Sequence, residues 1–409
     1  MQSQPAFRNH ELLAQGPFQN YSRSHTWEPI TQPWEELIIE PSDLMYTMGS
    51  MVGATQHVRE VTVDASFDHD FLYLCCPFFQ WESDWSSLRK ISLESLEWQK
   101  TSQAFINYIL VLTQLRNFLY FCAVNVRNLP LSFISQLGGI KHLELRHFTV
   151  IRDVDLQARY RGPRAQPETI YLSWQLKGRF QDPNNIGHVL TYLASKASPF
   201  DLTRLRTLSV EVPLTNTVLT ALDRVLQLCY PSLECLKIMR AGHRRADVPT
   251  TGLNLRYLGV LKVMMVEFER LDDDSVTFLT DTLSTVSAPL SVVTLRIWHH
   301  FPNSIPISHN AQWGYLDHYL LAVPNVNIEI VSVPSFCGCF PRGGREQCPQ
   351  CNQEKRYETE IRDRLMHSRV RIRWCDFKGL TADEQDSFYA FLPEDRYRLK
   401  FPESPNGGR

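Results

Sequence analysis

The densest chemistry in the sequence is a stretch with four cysteines, CGCFPRGGREQCPQC, at residues 337–351. The CxxC half lets two thiolates reach one tetrahedral ion, and Gly338 permits the bend that the CxC half needs. The pattern predicts one structural zinc, because four thiolates leave no coordination position for water. Two alternatives are a reduced loop with idle thiols and a redox disulfide. The predicted ligands are Cys337, Cys339, Cys348 and Cys351.

Catalytic spacings are missing from the rest of the sequence. It has no nucleophile elbow, P-loop, HExxH motif or dinucleotide fingerprint. The acidic run LDDDS (271–275) precedes an apolar-periodic stretch, which predicts a helix N-terminus rather than a cation site. His299 and His300 are neighbours on a predicted strand and face opposite ways, so they are poorly placed to share one metal. The sequence favours a non-enzymatic protein over an enzyme.

The composition is that of a globular protein with little net charge. The 409 residues are 43% hydrophobic, with 42 Lys+Arg against 44 Asp+Glu. This balance gives no global attraction to nucleic acid or to an anionic membrane. Two basic loops, ARYRGPR (158–164) and RAGHRR (240–245), are the only features that favour phosphate contacts. Neither a membrane span nor a secretory signal is evident, so we expect an intracellular protein, cytoplasmic or nuclear.

A short apolar pattern recurs along the chain, as in VREVTV, LRKISL, LRTLSV, LECLKI and LGVLKV. Its final alternation has the period of a strand, and the intervals between units often have the apolar spacing of a helix. Helices are predicted at 102–112, 216–228 and 274–286. One strand and one helix per 25–38 residues predicts an α/β leucine-rich-repeat solenoid of about ten repeats, with a parallel inner sheet and outer helices. The predicted core anchors are residues 61, 91, 118, 143, 170, 208, 236, 261, 295 and 326.

The units LRTLSV, LECLKI and LGVLKV, separated by helices of uneven length, resemble the leucine-rich repeats of fungal F-box-like proteins. The likeness covers about residues 56–333. In that family an N-terminal F-box docks on a Skp-type adaptor of a ubiquitin ligase, and the repeats hold the substrate. This sequence has no Leu-Pro opening of an F-box; PWEELIIEPSDL (33–44) is the nearest stretch. The usual Asn or Cys after each LxL motif is also missing, which predicts an irregular solenoid with loose turns.

These features predict the domain organisation. Residues 1–33 form a loosely ordered tail, 34–55 an N-terminal cap helix region and 56–334 the solenoid. Residues 335–353 form the Cys-rich insertion, 354–400 a C-terminal cap of helix, strand and helix, and 401–409 a flexible tail. The alternative to a repeat array is an ordinary α/β domain.

The inner face of a solenoid is its usual binding surface, so we expect another protein to bind there. The first repeats present a polar to acidic series, which includes Asp64, Glu94 and Glu144. The last three combine cations with Met and Trp, a composition typical of interface hot spots. An acidic or mixed segment is therefore the predicted ligand of this second group. The alternative function is a zinc-stabilised adaptor protein, associated with nucleic acid or of another kind. The predicted partner-binding residues are Lys237, Met239, Lys262, Met264, Arg296 and Trp298.

The cysteine cluster yields the first testable prediction. Protein purified without chelator should contain one zinc per chain by elemental analysis. Chelation should speed amide exchange in 335–355 without lowering the main melting transition, because the repeats bury their own core. A zinc content well below one per chain, with all four thiols freely titratable, would contradict the prediction.

Overall fold

The structure is a computed structural model. It describes residues 36–39, 58–65, 85–173, 184–211, 215–240, 252–268, 271–300, 311–333 and 349–376. The chain divides into two compact units. The first unit comprises residues 1–174 and 184–205, and the second comprises 175–183 and 206–409. No helix in the described ranges is both long enough and apolar enough to cross a membrane.

The first unit is built on a parallel sheet in the order β1-β2-β3-β4-β6-β8. A separate parallel pair, β5 with β7, lies in the connections between its strands. The elements in chain order are β1 (Glu36–Ile39), β2 (Glu60–Asp64), β3 (Lys90–Glu94), α1 (Gln103–Thr113), β4 (Tyr120–Val124), β5 (Leu129–Pro130), α2 (Leu131–Ile134), β6 (His142–Arg146), β7 (Val150–Ile151), β8 (Thr169–Ser173) and α3 (Asn184–Leu193).

The second unit alternates strands and helices around a parallel sheet in the order β9-β10-β11-β12-β13-β14. Its elements are β9 (Thr207–Glu211), α4 (Asn216–Leu228), β10 (Cys235–Arg240), β11 (Val263–Phe268), α5 (Asp273–Ser284), β12 (Val292–His300), α6 (Gln312–Leu321), β13 (Asn325–Val333), α7 (Pro349–Arg364) and β14 (Val370–Asp376).

The predicted α/β class with a parallel sheet is confirmed, and the repeat count stays a prediction. The three predicted helices correspond to α1, α4 and α5. At the start of α5 the Asp272 side chain accepts a hydrogen bond from the Ser275 backbone N–H at 2.9 Å, as the capping interpretation of LDDDS expects. The predicted cap helix is wrong at 36–39, where the chain forms β1. Two β-branched residues, Ile38 and Ile39, favour a strand there, and it pairs in parallel with β2.

Seven pairs of neighbouring strands, from β2 to β8 in the first unit and from β9 to β12 in the second, share the same backbone contact. The carbonyl oxygen just before a strand accepts two N–H groups from the start of the next strand. The Arg59 carbonyl, for example, bonds the N–H groups of Arg89 and Lys90 at 2.7 and 3.0 Å. Because every copy places neighbouring strands in the same register, it aligns the apolar columns. The carbonyls that do this are those of Arg59, Arg89, Leu119, Lys141, Arg206, Glu234 and Lys262.

All ten predicted anchors are buried, but three belong to a different column. In the first unit Val61, Ile91, Leu143 and Ile170 align, and Phe121 rather than Phe118 fills the β4 position. In the second unit Leu208, Leu236 and Val326 belong to one column. The β11 member of this column is Met264 and not the predicted Leu261, and the β12 member is Val293 and not the predicted Leu295.

The turns after three successive strands of the first unit are regular, so the expectation of loose turns is wrong there. Ser95, Asn125 and His147 follow β3, β4 and β6 with φ of 55°, 55° and 53°. Each donates its backbone N–H to the carbonyl oxygen of the last residue of the neighbouring strand in the sheet, at 2.9–3.0 Å. The residue that follows each turn is buried. Backbone hydrogen bonds and apolar packing therefore stabilise these turns in place of the usual Asn or Cys side chains.

These left-handed turns yield a stability prediction. Asn125 is exposed, so Asn125→Val loses little packing but forces a β-branched side chain into positive φ. We expect a loss of about 1–2 kcal/mol in the free energy of unfolding relative to Asn125→Gly, measured by urea denaturation. Equal stability of the two variants would contradict the prediction, because it would show that a β-branched side chain at position 125 does not strain the turn.

Candidate functional site

The structure separates the six predicted partner-binding residues. Lys237 and Arg296 lie on the sheet face opposite the core, on β10 and β12. Met264 is fully buried, so its prediction as a surface residue is wrong. Lys262 lies outside the strand, just before β11. The backbones of Met239 and Trp298 lie in β10 and β12, and their side chains are outside the described part of the chain.

A shift in register explains the misplacement. The sequence places the β11 strand at LGVLKV (258–263), but the chain makes turns over 255–261 and the strand begins at Val263. Leu258 and Leu261 are buried within these turns, so they imitate the apolar pattern of a strand. Every inward and outward assignment on β11 therefore changes.

The described segment that precedes β11 is held by side chains at the C-terminal end of α5. Thr282 Oγ1 accepts the Leu253 N–H at 3.0 Å, and Thr285 Oγ1 accepts the Leu255 N–H at 2.9 Å. A Cβ atom at Gly252 would lie 2.4 Å from the Thr282 nitrogen, so only glycine fits. This close approach holds the chain against the end of α5 before the turns that lead to β11.

Lys237 and Arg296 are members of an alternating series of charges that crosses all six strands of the second unit, which we call the ionic ladder. Lys237 Nζ lies 2.5 Å from Glu211 and 3.1 Å from Glu267. Arg296 lies 3.5 Å from Glu267 and 2.8 Å from Glu329. The ladder is charge-balanced and consists of Glu211, Lys237, Glu267, Arg296, Glu329 and Arg373.

The centre of the ionic ladder is buried. The side chains of Glu211 and Glu267 are each 2% exposed. Burial disfavours the Lys237 ammonium, but the carboxylates of Glu267 and Glu211 outweigh it and raise the pKa of Lys237. Burial also raises the pKa of Glu267, although Lys237 and Arg296 oppose the shift. The ladder thus satisfies Lys237 and Arg296 within the chain, and the expected positive patch is wrong for these two residues.

The corresponding face of the first unit carries aromatic rings between its charges. We call Lys90, Tyr120, His142, Glu144, Arg146 and Tyr171 the tyrosine patch. Lys90 Nζ lies 5.4 Å from the centroid of the Tyr120 ring, which stacks on His142 at 5.4 Å between centroids. Arg146 lies over the Tyr171 ring at 5.0 Å. Both tyrosines are half-buried, so each offers part of its ring to a ligand.

Glu144 connects the tyrosine patch at its base. Its carboxylate accepts hydrogen bonds from the Tyr120 hydroxyl and from Arg146 Nε. Burial, followed by this hydrogen bond, raises the pKa of Tyr120, so the phenol stays protonated and acts as a donor. The patch is therefore held in place by contacts within the chain and is preorganised for binding.

A cysteine on the same face is unsuited to nucleophilic chemistry. Burial and the nearby Glu144 carboxylate raise the pKa of Cys122 to about 12. The thiol therefore stays protonated, whereas a catalytic cysteine needs a lowered pKa. The arrangement can bind a ligand through rings and hydrogen bonds, and its one thiol does not supply a nucleophile.

The predicted zinc ligands fall mostly outside the described residues. Three of them, Cys337, Cys339 and Cys348, are outside the part of the chain that the structure describes. For Cys351 only the backbone is described, as part of α7. The helix starts at Pro349, before the predicted start at 354. Among the described residues no group of three or more His, Cys, Asp or Glu side chains is arranged to hold a metal ion. Zinc binding by the cysteine cluster stays a prediction.

Sequence reasoning missed Tyr120, His142 and Tyr171. The predicted core anchor at residue 118 would put Leu119 and Phe121 of LRNFLYFCAV on the open face, but Phe121 is fully buried and Tyr120 faces outward. A period of two counted from Phe121 and Ala123 would have identified the correct face. Neither a protein-family model nor a curated protein matches the sequence.

The ionic ladder yields a prediction that contrasts two lysines. Lys237→Met leaves Glu211 and Glu267 buried without their shared cation, so we expect a loss of about 3–5 kcal/mol in the free energy of unfolding at pH 7.5. Lys262→Met is the matched control. It removes an exposed lysine that pairs with Glu234, and it should leave stability close to that of the wild type.

The loss caused by Lys237→Met should also depend on pH. Without the lysine, the carboxylates repel each other and the pKa of Glu267 rises further above its ordinary value. Between the ordinary and the raised pKa, the folded chain keeps a proton that the unfolded chain has lost, so stability falls as pH rises. Urea denaturation should therefore show a smaller deficit at pH 5 than at pH 7.5. An equal deficit at both values would contradict the assignment of buried, repelling carboxylates.

Proposed function

We propose that the chain is a non-enzymatic protein-interaction module, and that the tyrosine patch on the first unit binds a segment of another protein. The composition of the patch supports the proposal, because Tyr and Arg are enriched among residues that dominate binding energy. A ring positioned by its neighbours also loses little conformational freedom when it is bound.

The placement of the patch supports the same function. Its residues lie on four successive strands, β3, β4, β6 and β8, on the face opposite the core. At about 4.8 Å between strands, the four rows from β3 to β8 span roughly 14 Å. An extended segment of about five residues has this length, so one peptide can contact all the rows.

A role as the substrate-recognition subunit of a ubiquitin ligase is the narrower form of this proposal. It rests on the resemblance of the repeats to those of F-box-like proteins. An affinity pull-down with the full chain tests it directly, because recovery of a Skp-type adaptor would favour ligase membership. Recovery of other partners without the adaptor would leave the protein-interaction function and remove the ligase role.

The tyrosine patch is tested by Tyr120→Ala combined with Tyr171→Ala. We expect recovery of the partner proteins found with wild type to fall at least about tenfold. The reason is that truncating a hot-spot tyrosine costs roughly 1 kcal/mol or more of binding free energy. The binding should then be reproduced with purified partner and measured by titration calorimetry.

Tyr230→Ala combined with Tyr257→Ala is the matched control. These two tyrosines of the second unit are 55% and 44% exposed, and they lie outside the patch. This pair should leave partner recovery unchanged. Unchanged recovery with the patch variant, with its melting transition intact, would contradict the proposed function.

A further inference from the structure

We propose that an exposed basic loop of the first unit, residues 159–164, binds an acidic segment of a partner protein through a row of carboxylates. We call these residues the arginine loop. The inference adds a second contact to the proposed interaction function, and its test does not depend on the tyrosine patch.

The arginine loop lies beside a second stretch of the first unit, which follows α3. The Tyr160 N–H donates to the Lys196 carbonyl oxygen at 3.0 Å, so residues 159–165 and 195–201 are neighbours. Together the two stretches carry four cations and one carboxylate, a formal net charge of +3. The cations, all with exposed side chains, are Arg159, Arg161, Arg164 and Lys196.

Most of this positive charge is not balanced by contacts among the described residues. Within that part of the chain, Arg159, Arg161 and Lys196 have no carboxylate at ion-pair distance. Arg164 interacts with the one carboxylate, Asp201, which also accepts hydrogen bonds from another part of its own turn. Three lysines elsewhere in the first unit each pair with a glutamate at 2.8–2.9 Å. A ligand that brings carboxylates would supply the pairs that the arginine loop lacks.

The arginine loop is held in place by its own tyrosine and by its neighbouring stretch. Tyr160 is half-buried, whereas Arg159 and Arg161 on either side of it are exposed. The Tyr160 ring lies against Gly162, where an added Cβ would come within 2.5 Å of the hydroxyl oxygen. At the end of the loop, the Ala165 N–H donates to a carbonyl oxygen of the neighbouring stretch at 2.8 Å. The backbone is therefore ordered before a ligand arrives, which lowers the entropy cost of binding.

The arrangement favours a row of carboxylates over nucleic acid. The arginines are spaced along a loop that spans at most about 17 Å, which matches an extended peptide with several acidic side chains. A guanidinium forms two parallel hydrogen bonds with one carboxylate. Single-stranded nucleic acid is usually held by rings on which its bases stack, whereas Tyr160, the one ring of the loop, packs against Gly162.

The test measures the binding of labelled twelve-residue peptides to the full chain by fluorescence anisotropy. A peptide that alternates Glu with Ser should bind, more weakly as salt rises, and a peptide that alternates Arg with Ser should not. Arg159→Gln combined with Arg161→Gln should weaken binding of the Glu peptide at least about tenfold, because it removes two charge-assisted contacts. Both side chains are exposed, so this variant should keep the melting temperature of the wild type.

Arg116→Gln combined with Arg127→Gln is the matched control. It removes two exposed arginines of the same unit that lie outside the arginine loop, and it should leave binding of the Glu peptide within about twofold. Tyr120→Ala combined with Tyr171→Ala should also bind the Glu peptide as the wild type does.

Three results would overturn the inference: no binding of the Glu peptide, equal losses in the two arginine variants, or a loss in the tyrosine variant. Tighter binding of a twelve-nucleotide single-stranded RNA, or of a Ser peptide with one phosphoserine, would identify phosphate as the ligand and overturn the choice of carboxylates. None of these results decides the proposed function, which is tested separately by partner recovery with the tyrosine variant.

Discussion

One backbone contact recurs through most of both sheets: a carbonyl oxygen accepts two N–H groups where the next strand begins. It recurs in the first unit, for example at Arg59 and Arg89, and in the second, for example at Arg206 and Glu234. It holds neighbouring strands in register, and a slip by one residue would exchange the core face with the open face. The tyrosine patch and the part of the ionic ladder on β9–β12 depend on it, because their members meet only when the strands are aligned.

The same contact explains how far the sequence predicts the fold. Apolar periodicity identified α1, α4 and α5 and the recurring strands, since burial requires that periodicity. It failed to place two strands because a buried residue also precedes each strand by two positions, as Phe118 and Leu261 do. Such a residue lies three positions from the true core column, which is the spacing of the motif itself. That ambiguity hid Tyr120 and put Met264 on the wrong face.

The functional faces were harder to predict because their contacts join residues about thirty positions apart. Lys237 is 26 residues from Glu211, and Arg296 is 33 from Glu329. The sequence correctly assigned both cations to the open face, but nothing local to either one indicates a buried carboxylate partner. The two units use one kind of surface differently. The second balances its charges across six strands, whereas the first places tyrosine rings between its charges.

The central claim is that the open face of the first unit is the protein-binding surface. Site-specific photo-crosslinking tests it most directly, with benzoylphenylalanine placed at Tyr171 or, for comparison, at Thr294 on the open face of the second unit. The account predicts that the probe at 171 crosslinks to one segment of a partner protein, identified by mass spectrometry, and that the probe at 294 does not. Crosslinking to that segment from position 294 alone would place the binding surface on the second unit and contradict the account.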